Sequence, residues 1–392
     1  MRARVPGITV LLASGSCMLS ACAISGVARS PRTVTYYIAA DEVDWDYAPS
    51  GRDGITGRPF EGMSARYMEP GPGRVGRVWH KAIYRAYTDS TFTTLQPRPP
   101  QWQHLGILGP LIRAEVGDTI RVVFRNNASF PASVHPHGVF YRKDSEGAPY
   151  SDGTNGADRA DDGVPTGGTH VYVWQVPERA GPTAHEGKSA FWMYHSHVDE
   201  QSDMAAGLVG PMIITARGGS RADGTPTDVD REFVVAFLEL DENNSPFFNR
   251  NYARYALPLP RRPGAPRPAP EVPTDTSFGI LEHDPATESS FRETMNGYSY
   301  GNLPGLTMRV GERVRWYLMG TTDFEFHSPH WHGNVVTIHD MRTDVASLTA
   351  MEMVTADMTP DDPGTWLFHC HVSDHLRMGM QALYTVEPAG GR

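Results

Sequence analysis

The chain says the same thing twice. PLIRAEVGDTIRVVFRNN followed by HPHG in the first half matches LTMRVGERVRWYLMG followed by HWHG in the second, and HSHVDEQSDMAAG from His195 matches HCHVSDHLRMGMQ from His369. A sequence that repeats at this scale must fold each copy as a like unit, so two versions of one domain in tandem are predicted. Each copy is written in short apolar runs, among them VWHKAIYRAY, TIRVVF, HVYVWQV, LVGPMIIT and REFVVAFLEL, punctuated by Gly, Asn, Asp and Pro. With 39 Gly, 32 Pro and almost no long helical periodicity, the class is all-β, two tandem Greek-key β-sandwiches. The first is expected over 34–218 and the second over 231–388, joined by the polar linker 219–230. LPLPRRPGAPRPAPEVPTDTS, inside the second unit, reads as a long, stiff, exposed loop.

What differs between the copies carries the chemistry. HCHVSDHLRMGM follows the strand-like run GTWLF. On a strand Cys370 faces one way while His369 and His371 face the other. Cys370, His375 and Met380, completed by a distant histidine, give the two-His, one-Cys, weak-axial-Met set of a blue copper centre. Zinc would call for more thiolates or paired Cys spacings. Position for position the first copy has Ser196 for Cys370, Gln201 for His375, Ala206 for Met380 and Ala132 for His327. The histidine pairs are kept in both: His135 and His137 against His330 and His332, His195 and His197 against His369 and His371. Two sites are therefore specified, one private to the second domain and one drawing on both.

The order HPHG, HSH, HSPHWHG, HCHVSDHLRMGM resembles the multicopper oxidases, over essentially the whole chain after its N-terminal segment. The resemblance implies cupredoxin-like domains and copper as cofactor, four ions per functional unit. It assigns a type 1 ion to His327, Cys370, His375 and Met380, and a type 2 ion to His135 and His330. A type 3 pair falls to His137, His195, His197, His332, His369 and His371. The implied activity is one-electron oxidation of a reductant, with electrons passing through Cys370 to His369 and His371 and O2 reduced to water.

YYIAADEVDWDYAPSG, GRVWHKAIYRAYTD, DREFVVAFLELDEN and GNLPGLTMRVGERVRWYLMG are similar to ceruloplasmin and its relatives, of whose six domains this chain resembles one third. That likeness implies Fe(II) as reductant, at a site matching Glu288, Glu293 (where the family has histidine), Asp374 and, from a neighbouring subunit, Asp323. It also implies a homotrimer closing head to tail, each copper cluster shared between subunits. A laccase-like oxidase of phenols or other small organic reductants would share every copper ligand. A non-enzymatic copper-binding envelope lipoprotein would have eroded ligands, and copper nitrite reductase lacks the eight-histidine set.

MRARVPGITVLLASGSCMLSAC resembles a bacterial lipoprotein signal over 1–22 ending in Cys22, followed by a tether over 23–33. The expectation is an exported protein of the bacterial cell envelope, held to the membrane only by lipid on Cys22. Of the three cysteines, Cys17 leaves with the signal and Cys370 is the copper ligand, so none is left for a disulfide. A net charge of −10 argues against nucleic acid as partner. Met351, Met353 and Met358 read as one buried strand face, not as a Cu(I) site. His80, His104, His170, His185, His283 and His339 are expected to be ordinary surface or core residues.

Overall fold

A computed structural model describes residues 30–257, 285–321 and 326–390. Its first half holds β1 (Thr33–Asp46), β2 (Val78–Tyr87), β3 (Ile112–Glu115), β4 (Thr119–Asn126), β5 (His135–Pro136), β6 (Thr169–Gln175), β7 (Ser189–His195) and β8 (Val209–Thr215). They form two four-stranded sheets, β2-β1-β4-β6 and β3-β8-β7-β5. The second half holds β9 (Arg231–Asp241), β10 (Phe291–Met295), β11 (Thr307–Arg309), β12 (Val314–Thr321), β13 (Pro329–Trp331), β14 (Val336–Ile338), β15 (Met341–Thr343), β16 (Met353–Met358), β17 (Gly364–Cys370) and β18 (Gln381–Glu387). These pair as β10-β9-β12-β16-β14-β15 and β11-β18-β17-β13. The repeat read in the sequence is thus a repeat of topology. In each half the first strand pairs parallel with the fourth-placed run (β1 with β4, β9 with β12) and antiparallel with a neighbour (β2, β10).

Among the described residues there are five short α-helices: α1 (Met63–Met68), α2 (Glu200–Ala206), α3 (Phe248–Tyr255), α4 (Pro285–Glu288) and α5 (Ser373–Met378). The proline-rich excursion lies outside the described residues, as do the N-terminal signal, Asp323 and His283.

Strand alternation decides how the two sandwiches stack. In β9 the apolar run is continuous because both faces are covered. Phe233, Val235 and Phe237 enter the core of the second sandwich with Trp316, Leu318 and Phe368. Val234, Ala236 and Leu238 face instead Phe191, Met193, Val209 and Ile213 of the first sandwich. One apolar layer therefore joins sheet β3-β8-β7-β5 to sheet β10-β9-β12-β16. It is pinned by buried polar contacts: Arg315, held on its own sheet by Asp357 at 2.7 Å, donates across to Ser189 at 2.8 Å, and the Ser189 hydroxyl lies 2.7 Å from that of Tyr317. Met353 and Met358 fall on opposite faces of β16, so the three methionines do not share one strand face. Met351 and Met353 pack on the interdomain layer and Met358 in the second core.

Candidate copper centres

Register places the paired histidines. In the first sandwich His135 on β5 sits opposite His195 on β7, and in the second His330 on β13 sits opposite His369 on β17. The glycine ending each motif has a turn-forming φ, +79° at Gly138 and +73° at Gly333. A Cβ there would lie 2.3 Å from Trp192 or 2.5 Å from Trp366. Only glycine lets the chain turn after the second histidine while a tryptophan closes over it.

Each half then gathers its own imidazoles. The Nε2 atoms of His137 and His195 are 3.1 Å apart, and those of His332 and His369 are also 3.1 Å apart. His135 packs against His197, and His330 against His371. The outward nitrogens are committed to backbone: Nδ1 of His135 to Glu146 O at 2.6 Å, of His195 to Ser196 O at 3.0 Å, of His330 to Asp344 O at 3.0 Å and of His369 to Cys370 O at 2.8 Å. Those carbonyls fix the tautomer and leave Nε2 as the lone pair aimed inward, the arrangement that orients metal-binding histidines. Burial, with the neighbouring imidazoles, lowers the pKa of His137 to about 4 and of His195 to about 3. Neutral imidazoles with converging lone pairs suit a copper ion, and the donor set fits it.

The second sandwich holds a further set. Cys370 is fully buried; its Sγ lies 3.5 Å from Nδ1 of His375, which is 3.2 Å from Nδ1 of His327. Met380 is fully buried in the same core, with its backbone N–H donating to His375 O. The Ser328 N–H donates to Cys370 Sγ at 3.2 Å. Burial and then the charge of His375 bring the pKa of His327 to about 3. Two nitrogens and a sulfur at these separations form a triangle that one soft-to-intermediate ion can fill.

The matching place in the first sandwich is filled differently. Ser133 N–H, the counterpart of Ser328 N–H, donates to Ser196 Oγ at 3.0 Å, and that hydroxyl donates to Asp203 at 2.5 Å. A serine hydrogen-bonded to an aspartate stands at the position where the second copy has the thiol of Cys370.

Of the four acids named from the sequence, the three among the described residues differ in setting. Glu293 is 4% exposed, with an oxygen 4.0 Å from Nδ1 of His375. Glu288, on α4, is ion-paired with Arg66 of α1. Asp374 is exposed in the first turn of α5. The group around His375 contains an acid that the sequence reading missed. Glu239 of β9 lies directly opposite Glu293 in the β9–β10 register, and Glu239, Glu293 and His375 bring one donor atom each within 4.8 Å of one another. No local signal marks Glu239; only knowing which strand pairs with β10 would have found it.

Three of the remaining described histidines are held in structural contacts. His80 lies between Glu42 and Asp44 at 2.9 and 2.8 Å, His104 accepts the Val234 N–H at 3.1 Å, and His170 contacts Asp144 O at 2.8 Å. His185 pairs with Asp340, and His339 is exposed.

The chain is similar to known proteins. Multicopper oxidase family profiles match residues 103–219 and 270–390. The chain is 41% identical over 359 residues to ferroxidase HEPHL1 of Homo sapiens, covering 91% of this chain and 29% of that protein. Hephaestin of Homo sapiens is 40% identical, with 91% and 29% covered, and ceruloplasmin of Rattus norvegicus 39% identical, with 91% and 32% covered. The chain thus spans roughly a third of the length of these relatives. Among solved structures, the blue copper oxidase of Nitrosomonas europaea superposes with a TM-score of 0.53 at 17% identity, covering 92% of this chain and 86% of that one. A multicopper oxidase crystal structure gives 0.52, also at 17% identity, covering 91% and 88%. The folds are shared, the two family profiles together take in more than half of the residues, and the paired histidines occupy the same place in both sandwiches: the chain belongs to the multicopper oxidases.

Proposed function

We propose that the protein is a ferroxidase, taking electrons from Fe(II) beside His375 and delivering them to O2 at a cluster built from both sandwiches. In this reading copper, four ions per functional unit, supplies one-electron oxidation at His327, Cys370, His375 and Met380, and reduction of O2 to two waters at the eight paired histidines. The balance is four Fe(II), one O2 and four protons to four Fe(III) and two waters.

One observation carries the choice of substrate. His375 belongs to two donor groups at once, one with His327 and Cys370 and one with Glu239 and Glu293. An electron leaving a cation held by those carboxylates would start beside a residue of the proposed type 1 copper set. Hard carboxylate oxygens hold Fe(II) and favour Fe(III) more, which lowers the potential at which iron gives up its electron. His375 is itself only 3% exposed, so a bulky phenol has no direct approach to its ring. From Cys370 the covalent chain runs straight on to His369 and His371. The backbone carbonyls on His135, His195, His330 and His369 hold the second set of imidazoles in orientation.

The division into domains at 34–218 and 231–388 follows the same reading. Each sandwich presents four of the eight histidines, and the relatives are about three times longer, which supports a head-to-tail homotrimer. In it His135, His137, His195 and His197 of one subunit would face His330, His332, His369 and His371 of the next, with Asp323 entering a neighbour's iron site. Export with lipid on Cys22 completes the reading; no helix among the described residues is long and apolar enough to cross a membrane.

The test is O2 uptake by copper-loaded protein, with Fe(II) against a phenolic donor. Replacing Glu239 and Glu293 together by Ala is expected to reduce Fe(II) turnover at least about tenfold while the blue absorption stays, since neither is a copper ligand. Undiminished Fe(II) oxidation would leave the laccase-like reading as the better one.

A further inference from the structure

Arg66, from the first half of the chain, is ion-paired with Glu288 of the second. It lies on α1, whose residues contact α5, the helix that carries Asp374 and His375. The segment is anchored: Tyr67 and Met68 are buried in the interdomain layer with Phe60 and Tyr300, and Arg292 donates to Tyr67 O at 2.6 Å. Arg66 itself is 40% exposed and ion-paired with Glu288, which is 31% exposed. Tyr67, the next residue along α1, feels the same acids. Tyr67 has its pKa raised to about 12 by burial first and then by the negative charge of Glu288, with Glu293 adding in the same sense. Glu288 and Glu293 thus act on one neighbourhood, and a guanidinium from the other domain already occupies its outer carboxylate.

We propose that Arg66 is a specificity-determining residue: a built-in counter-cation that holds Glu288 until a divalent metal ion displaces it. The inference rests on the ferroxidase reading and adds to it a residue from outside the metal-binding groups. A divalent ion brings more charge and harder coordination to the carboxylate than the guanidinium offers, so it can exchange with Arg66. A neutral phenol has nothing to exchange. The arrangement favours small hard cations over organic donors and keeps Glu288 from standing as an uncompensated charge between turnovers.

The experiment uses the copper-loaded full chain and the variants Arg66→Ala, Arg66→Lys, Glu288→Gln and the double variant Arg66→Ala/Glu288→Gln. Two quantities are read: KM and kcat for Fe(II), and the affinity for Co(II), a divalent probe followed as an inhibitor and by its own visible spectrum. A partly exposed ion pair is worth up to about 1 kcal/mol, so Arg66→Ala should lower KM for Fe(II) and tighten Co(II) about two- to fivefold, with the effect in KM and not in kcat. Arg66→Lys should fall between Arg66→Ala and the wild type. In the Glu288→Gln background the Arg66 substitution should do nothing, because the coupling between the two is what is being removed. An unchanged or raised KM in Arg66→Ala, or the same gain with Glu288 already absent, overturns the proposal. If the wild type fails to oxidise Fe(II), the ferroxidase reading falls, and Co(II) affinity still decides Arg66: tightening in Arg66→Ala upholds the displacement, no change sinks it.

Discussion

At the scale of single residues, Cys370 and the neutral histidines make the sharpest claims. Cys370 is buried beside His327 and His375 and accepts the Ser328 N–H. Cys370→Ser should abolish the intense blue absorption and nearly all oxidase turnover while the copper bound at the paired histidines remains; a variant that stays blue would place the thiolate elsewhere. The histidines predict a pH dependence for the copper-free protein. His137, His195 and His327 are depressed by burial to about 4, about 3 and about 3. The unfolded chain protonates them first, near pH 6.5, so it binds more protons throughout the interval below that value. Stability is complete above about pH 6.5 and declines as pH falls toward 3, by about 1.4 kcal/mol per pH unit for each imidazole still neutral in the fold. Thermal melting of apo-protein from pH 7 to 4 measures this, and a flat profile would mean that these rings are not held neutral.

Among the elements, what was legible depended on whether the signal was local. The runs VWHKAIYRAY and TIRVVF are β2 and the body of β4, because each carries its own strand chemistry between turn residues. The HxHG glycines announce a turn in four letters. Glu239 was silent because it is one acid near the end of the apolar run of β9. Its meaning comes from Glu293, which lies far along the chain and reaches it only through the β9–β10 register. Glu288 was read as an iron ligand without its partner, since Arg66 belongs to the other sandwich. Ser196, at the position of Cys370 in the first sandwich, yields a prediction of its own. A single oxygen of Asp203 accepts from Ser196 Oγ, Val198 N and Asp199 N, and burial raises its pKa to about 6. A carboxyl raised above its unfolded value gives stability that is full below about pH 4 and lost as pH rises through about 6. Asp203→Asn can keep all three bonds on its remaining oxygen without ionising. The variant should therefore melt above the wild type at pH 7.5, by a few degrees, and converge with it near pH 4. A lower melting temperature at both values would show that the charge is needed there.

For the whole molecule, the decisive matter is whether the two sets of four histidines meet, within one chain or between chains. Each sandwich presents its set at the same place in the repeat, so a chain with two copies offers two half-sites related by the repeat itself. A heterologous contact between unlike halves closes a ring when the rotation permits. Two inactive variants can tell a shared cluster from one made within a single chain. One carries His137→Ala with His195→Ala and has only a sound second half; the other carries His332→Ala with His369→Ala and has only a sound first half. In a head-to-tail trimer every mixed ring contains one junction where two sound halves face each other. Random assembly of equal amounts makes three quarters of the rings mixed, so roughly one quarter of wild-type cluster content and O2 reduction should return on co-assembly, by the geometry of a closed heterologous ring. Equal mixing after separate folding should return less, because rings already closed must first reopen. If each chain builds its cluster alone, no mixture recovers anything, and light scattering would find active monomer.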